Sequence, residues 1–346
     1  MSDRAQNIAR GVLGPNLVEG ESLLEAKLRP QSFSEFVGQT KVKENLGLYI
    51  RAARERGEVL DHILLSGMAG LGKTTLAHIV ATEMGRELRA TSGPVLERAR
   101  DLAGILTSLQ EGDVLFIDEI HRLSRTVEEY LYSAMEDFCI DIVLDQGAAA
   151  QSIKINLHPF TLVGATTRQG LLSSPFLARF GVLEKLDPYP AEDLKEIILR
   201  SARILGVGAR DDAASLLATR SRGIPRVANR FLRRVRDVAQ IQSENLIDED
   251  TARKGLEMLG VDEEGLDELD RTILGCLVHH GGRPVGLKTV AVAVGEDQVT
   301  IEEVCEPYLI RQGYLSRTPR GRIPLERAYR HLGRPVPQLP PSPLFS

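Results

Sequence analysis

Residues 67–74 read Gly67-Met68-Ala69-Gly70-Leu71-Gly72-Lys73-Thr74, and their spacing, G-x-x-x-x-G-K-[ST], decides the fold. Glycines spaced in this way let successive backbone N–H groups face one anion, and a helix that starts at the lysine adds the positive end of its dipole. The motif carries weight only between a strand and a helix. Ile63-Leu64-Leu65 predicts the strand, and Leu76, Ala77, Ile79 and Val80 predict an apolar helix behind the loop. Gly70 and Gly72 are expected to shape a phosphate cradle, Lys73 to reach the β- and γ-phosphates of ATP, and the Thr74 hydroxyl to hold Mg²⁺.

Working outward, Asp113-Val114-Leu115-Phe116-Ile117-Asp118-Glu119 is an apolar strand ending in two carboxylates. Open α/β sheets bind ligands at that end. Asp118 is suited to orienting Mg²⁺ through water, and Glu119 to polarising an attacking water. A third strand ends Leu162-Val163-Gly164-Ala165-Thr166-Thr167, where hydroxyls are able to order that water. Two arginines follow: Arg179, within Pro175 to Gly181, and Arg226, just inside a helix that Pro225 can start. A guanidinium neutralises charge developing on a γ-phosphoryl group, and one supplied by a neighbouring subunit raises the rate by orders of magnitude.

A chain of 346 residues is too long for one core. Short apolar runs at His62 to Ser66, Asp113 to Asp118 and Phe160 to Thr166 alternate with amphipathic stretches to about Pro188, the pattern of a parallel sheet with helices on its faces. From Tyr189 to Leu259 no strand signal remains, and residues 191–206, 211–221, 225–243 and 248–259 read as helices. The expected organisation is an α/β domain over 1–188, with 1–25 a flexible arm, an all-α domain over 189–259, and a third domain over 262–346 whose tail, from about 333, is proline-rich.

Net charge is −5, so nucleic-acid contact has to come from a local basic patch. Aromatics are 5% of the chain, with no Trp, which argues against stacking of single-stranded bases as the main contact. Cys139, Cys276 and Cys305 form no CxxC pair, which argues against zinc and a disulfide framework. Neither a signal peptide nor a run of about 18 apolar residues is evident, so the expected compartment is the cytoplasm.

At this point the sequence resembles the AAA+ class and, within it, the RuvB family of bacterial Holliday-junction branch-migration motors. The resemblance runs from about Leu24 to Gly333. It is carried by Leu28-Arg29-Pro30 with Phe36-Val37-Gly38-Gln39, the phosphate loop, Phe116 to Leu123, Met135-Glu136-Asp137-Phe138, Phe160 to Arg168, Arg179-Phe180-Gly181, Gly223 to Arg236, Pro307 to Ile310 and Arg317 to Arg322.

It implies an α/β P-loop (AAA+) core with a small all-α lid domain and a C-terminal winged-helix domain. It implies a homohexamer on duplex DNA at four-way junctions, serving recombination and repair with ATP between subunits. Thr166 and Thr167 would be the first sensor, Arg226 the second, and Arg179 the finger reaching the next subunit. Leu28, Arg29 and Tyr189 would line the adenine end, and Thr75, Glu136, Asp137 and Phe138 would join the nucleotide contacts. Residues 139–159 read as a hairpin with its turn at Gln146-Gly147; the family docks it on a RuvA-type junction-binding protein, with a RuvC-type resolvase as a further partner. The chain departs from the family pattern at Met68-Ala69 (usually Pro-Pro), His158 (usually Pro) and Gln298 (often Arg).

Residues 268–332 read as a winged helix, with helices at Glu268 to His280, Leu287 to Val294 and Thr300 to Gln312, then a hairpin turning at Pro319-Arg320-Gly321. The usual arrangement puts a basic helix in the major groove. Here the candidate recognition helix carries Glu302, Glu303 and Glu306, whereas Arg311 to Arg334 holds seven arginines against Glu326. The helix is therefore expected to pack inward or face a neighbour, and the hairpin to touch phosphates through Arg317, Arg322 and Arg320 without reading bases. Such charges also occur on solvated hairpins; the resemblance favours DNA. A second run, Arg220 to Arg236, has seven arginines and no acid, and apart from Arg226 is expected to be solvated or paired with a neighbouring subunit. A clamp loader or protein remodeller need not end in a basic winged helix, and an ATP-gated DNA-binding regulator would want a basic recognition helix.

Overall fold

The structure, a computed structural model, describes residues 25–143 and 152–337. They form two compact units: Leu28–Tyr189, and a second running from Pro190 onward that includes the residues just before Leu28.

The first unit carries, in chain order, α1 (Thr40–Arg56), β1 (Ile63–Ser66), α2 (Lys73–Met84), β2 (Leu88–Ser92), α3 (Ala99–Leu106), β3 (Val114–Asp118), α4 (Arg125–Glu136), β4 (Cys139–Val143), β5 (Ser152–Asn156), β6 (Thr161–Thr166) and β7 (Val182–Lys185). Five strands form a parallel sheet in the order β2-β3-β6-β1-β7. The inner strands β1 and β6 are buried at every position, as continuous apolar runs between two covered faces should be. One face packs Leu115 and Ile117 against Leu102, Leu106, Leu131 and Phe176. Two edge strands, β2 and β7, were not expected. Each is short and half exposed, so neither shows a continuous apolar run. The β4–β5 pair is the expected antiparallel hairpin, with Asp141 opposite Lys154; its turn at Gln146-Gly147 lies outside the described residues.

The second unit begins with α5 (Ala191–Ile204), β8 (Gly208–Ala209), α6 (Asp211–Arg220), α7 (Pro225–Gln242), β9 (Leu246–Ile247) and α8 (Glu249–Met258). Helix α7 starts on Pro225 and buries Val227, Ala228, Phe231, Leu232, Val235, Val238 and Ala239, a full helical stripe. The four helices match the expectation, but the segment is not strand-free: β8 and β9 form a two-residue parallel ladder, too short to leave a pattern.

A winged helix follows in the same unit: α9 (Glu268–His279), α10 (Leu287–Val294), a helical stretch from Gln298 ending in α11 (Glu306–Arg311), β10 (Leu315–Thr318), β11 (Gly321–Pro324) and α12 (Glu326–His331). Residues Ile301–Cys305 form a π turn ahead of Pro307. Proline has no N–H for the carbonyl four residues back and its ring would clash there, so widening that turn keeps the helix continuous. Leu274, Leu277, Val290, Ile301, Leu309 and Leu315 form the core. Gly321, at φ 138°, packs its Cα against the Val285 carbonyl, where any Cβ would collide. Of the expected arm over 1–25, residues 1–24 lie outside the described residues, and so do residues 338–346 of the expected tail from about 333. Among the described residues, no helix is long and apolar enough to cross a membrane.

Candidate nucleotide site and nucleic-acid interface

The phosphate loop leaves the C-terminal end of β1. Gly67, Gly70 and Gly72 have φ of 144°, 82° and 103°, which side-chain-bearing residues rarely adopt. A Cβ on Gly67 would stand 2.6 Å from the Leu186 carbonyl oxygen. Lys73 is buried, and its Nζ donates to the Gly67 and Met68 carbonyls at 2.8 and 2.9 Å, which holds the ammonium inside the curl of the loop. Met68 thus takes part through its backbone, so the unusual side chain there leaves the curl intact. Thr74 and Thr75 lie in the first turn of α2.

Asp118 and Thr166 stand at the same sheet edge. Thr166 aligns with Ser66, and Gly67 N donates to the Thr166 carbonyl at 3.1 Å. Asp118 Oδ1 accepts from Glu119 N at 2.9 Å. Glu119 has a left-handed backbone, φ 47°, unusual for a side-chain-bearing residue, and its carboxylate meets Arg122 at 2.9 Å. The two threonines differ. Thr166 Oγ1 lies 3.0 Å from His121 Nδ1 and accepts from Arg168 N at 2.9 Å. Thr167 Oγ1 is buried and has no hydrogen-bond partner among the described residues.

Of the residues expected at the adenine end, Leu28 and Tyr189 are buried, and the Tyr189 hydroxyl donates to the Leu71 carbonyl at 3.2 Å. Phe36 covers Gly72, where an added Cβ would come within 3.1 Å of the ring. Arg29 lies near His78 of α2, whose imidazole is held below its ordinary pKa by burial and then by that guanidinium.

Arg179, Glu136 and Phe138 are elsewhere. They line a cleft of about 410 Å³ together with His62 and Gly181, beyond the N-terminal end of β1. Arg179 pairs with Glu136 at 2.9 Å, donates to the Pro175 carbonyl at 2.7 Å, and stacks 4.7 Å over Tyr132. The Tyr132 hydroxyl is held by Glu128 and Ser173. Sequence reasoning missed this support; its only trace is Glu128 one helical turn before Tyr132. Asp137 is exposed beside the cleft residues, at the end of α4. Arg226 is exposed in the first turn of α7 in the second unit.

On the wing, Arg317 and Arg322 are direct cross-strand partners. They share Glu306, which is buried: Arg317 Nε donates at 2.5 Å and Arg322 Nε at 2.6 Å, one to each carboxylate oxygen. Glu302 stands 3.6 Å from Arg317 and 3.5 Å from Arg322. Arg320 is exposed at the turn. The acidic helix therefore does pack inward, and the carboxylate expected to repel phosphate is the one holding the wing arginines. The run Arg220 to Arg236 needs a correction. Arg222 and Arg233 are buried, Arg222 against Asp267 and Asp270 and Arg233 near Glu25, because acids distant in sequence fold onto them.

A parallel sheet with a phosphate loop after β1, a carboxylate-tipped strand two places along in β3, a helical lid and a winged helix define an AAA+ ATPase carrying a winged-helix domain. The chain matches the family models for the RuvB P-loop domain (Holliday junction DNA helicase) over residues 28–186, the RuvB AAA lid domain over 189–262 and the RuvB C-terminal winged helix domain over 263–333. It is 59% identical over 315 residues to a Holliday junction branch migration complex subunit RuvB of Salinibacter ruber, covering 91% of this chain and 92% of that one. It is 59% identical over 309 residues to the Chlorobium luteolum protein of the same description, covering 89% and 90%. A solved Thermotoga maritima RuvB, described as a Holliday junction branch migration motor, superposes with a TM-score of 0.83 at 52% identity, covering 90% of this chain and all of the other. The chain belongs to the RuvB family.

Proposed function

We propose that this protein is the ATP-driven motor subunit of a Holliday junction branch migration complex, working as a homohexamer that translocates duplex DNA. The observation that carries the reading is the separation of Arg179 from its own phosphate loop. The Arg179 cleft includes His62, and the loop opens at Gly67; at about 3.3 Å per residue along β1, that places them about 16 Å apart. A guanidinium so placed serves the nucleotide of an adjoining subunit, which makes hydrolysis depend on the ring.

Within one subunit, Gly70, Gly72, Lys73, Thr74 and Thr75 hold the phosphates. Bound Mg²⁺ would neutralise charge on the β- and γ-oxygens, with Thr74 and, through water, Asp118 as the oxygen donors this edge offers. Glu119 turns from Arg122 to the attacking water. Thr167, whose buried hydroxyl has no hydrogen-bond partner among the described residues, suits ordering that water better than Thr166, whose hydroxyl His121 and Arg168 already engage. Leu28, Arg29 and Tyr189 bind the adenine end, Arg226 reports the γ-phosphate to the lid, and Glu136, Asp137 and Phe138 act with Arg179 from the neighbouring subunit. The wing arginines Arg317, Arg320 and Arg322 hold DNA phosphates at any sequence, and the hairpin over residues 139–159 docks a RuvA-type partner, with a RuvC-type resolvase joining the complex.

The test is migration of a synthetic four-way junction with and without the RuvA-type protein. Migration that requires ATP, and that is raised by the partner, is expected. Hydrolysis without migration under both conditions would overturn the reading.

A further inference from the structure

Between α6 and α7 the chain turns through Ser221-Arg222-Gly223-Ile224, and Arg222 is 4% exposed with a left-handed backbone, φ 61°. A turn between helices normally lies at the surface. This one is covered by the winged helix. Arg222 Nε donates to the Gly265 carbonyl at 2.9 Å. Its Nη2 meets Asp270 at 2.6 Å and Asp267 at 3.2 Å, and the guanidinium stacks 5.0 Å from the Tyr308 ring centre. The Arg222 carbonyl accepts from Arg311 Nη2 at 2.5 Å, and the Arg311 guanidinium also lies 5.7 Å from the Tyr308 ring centre. The Tyr308 hydroxyl donates to the Glu264 carbonyl at 2.8 Å.

The turn is therefore fastened to three parts of the winged-helix domain: the segment around Gly265, the start of α9 and helix α11. Asp267 and Asp270 are themselves locked, each accepting from the other's backbone N–H as the capping box of α9. A buried ionic set of this kind adds little net stability over apolar packing, because desolvation offsets the Coulomb gain. What it fixes is geometry: a planar guanidinium meets a carbonyl, two carboxylates and a ring face in only one pose. Four residues after Arg222, in the first turn of the helix α7 that this turn leads into, is Arg226.

We propose that Arg222 is a positioning residue that fastens the turn leading into α7, and so into Arg226, to the winged-helix domain, so that nucleotide-driven displacement of Arg226 reaches the DNA-holding wing as a rigid-body movement. This rests on the reading of Arg226 as the γ-phosphate sensor. Lid and winged helix then act as one lever, in keeping with their membership of one compact unit.

The full-length protein tests this with three readouts: ATP hydrolysis without DNA, duplex affinity, and junction migration per ATP hydrolysed. Arg222→Met with Asp270→Asn removes one charge of each sign from the buried set. Arg311→Gln removes the clasp on the Arg222 carbonyl together with the Arg311 contact with Tyr308, from a partly exposed side chain, and decides the matter alone if the double variant does not fold. Hydrolysis and affinity are expected to hold within about twofold, as for changes away from both sites, while migration per ATP falls by about fivefold or more, the size of an ordinary coupling energy. Lower thermal stability with an unchanged migration-to-hydrolysis ratio would overturn the proposal and leave Arg222 a packing residue. Arg226→Ala separates the two readings: if it leaves hydrolysis and migration intact, the sensor assignment fails and the transmission with it; if it impairs them while the Arg222 and Arg311 variants stay coupled, only the fastening fails.

Discussion

The phosphate loop and the wing are both suited to holding phosphates, and they are built in opposite ways. The loop works with backbone: three glycines at positive φ and the start of a helix, with one cation, Lys73, drawn inward onto two carbonyls. The wing works with side chains. Arg317 and Arg322 face each other across the ladder, where like charges destabilise a sheet. Glu306, from helix α11, lies between them and gives one oxygen to each Nε. A backbone site can be read from spacing because only glycine permits the geometry. A site made of balanced charges cannot, because the balancing residue is placed by the fold.

The largest effect should come from the side-chain component of the nucleotide site. Arg179→Ala is expected to keep ATP affinity and to lower turnover by about a thousandfold or more, as loss of a transferred guanidinium does; normal steady-state hydrolysis would remove the finger assignment. On the backbone side, Gly72→Val meets both the φ of 103° and the Phe36 ring. It should weaken nucleotide binding by about a hundredfold, since strain of about 1–3 kcal/mol adds to loss of the cradle. Calorimetry finding full affinity would show that the loop depends less on backbone geometry than its angles suggest.

The wing predicts a two-stage result. Arg317→Ala with Arg322→Ala should weaken duplex binding similarly for all sequences, by about tenfold, and reduce the salt slope by about two. It also strands the buried Glu306 carboxylate, which costs about 3–5 kcal/mol of stability. Adding Glu306→Leu should restore the melting temperature without restoring DNA affinity. If affinity returned with stability, the arginines would be holding the hairpin together and nothing more. Arg320→Ala, at the exposed turn, should reduce the salt slope by about one and leave folding unchanged.

The same contrast explains what the sequence disclosed. The inner strands, the lid helices and the carboxylate pair Asp118 and Glu119 were legible because buried parallel strands are unbroken apolar runs. The edge strands Leu88–Ser92 and Val182–Lys185 were not, being half exposed. Thr166 and Thr167 carry the same hydroxyl, and the placement of His121 and of the Arg168 N–H separates them. Arg222 looked like one of six arginines, besides Arg226, expected to be solvated or paired with a neighbouring subunit. Its burial depends on Asp267 and Asp270, more than forty residues further on, and no local pattern announces that meeting.

The smallest expected effect lies in that last set, and it sharpens the contrast with the wing. At the wing two guanidinium groups share one buried carboxylate; at Arg222 two buried carboxylates share one guanidinium. One negative charge is in excess there, and burial pushes the Asp270 carboxyl up to about 7, against the pull of Arg222 and with the help of Asp267. An unfolded Asp titrates near 3.9, so the folded state binds the proton more tightly. That contribution to stability is fully present below about pH 4 and is lost as pH rises through about 7. Asp270→Asn carries no titrating proton and lacks this slope. The melting temperature of the native protein minus that of the variant should therefore shrink between pH 5 and pH 8. A difference that stays flat from pH 5 to pH 8 would mean that Asp270 is held ionised by Arg222 in that range, and that both buried sets are simple ion pairs.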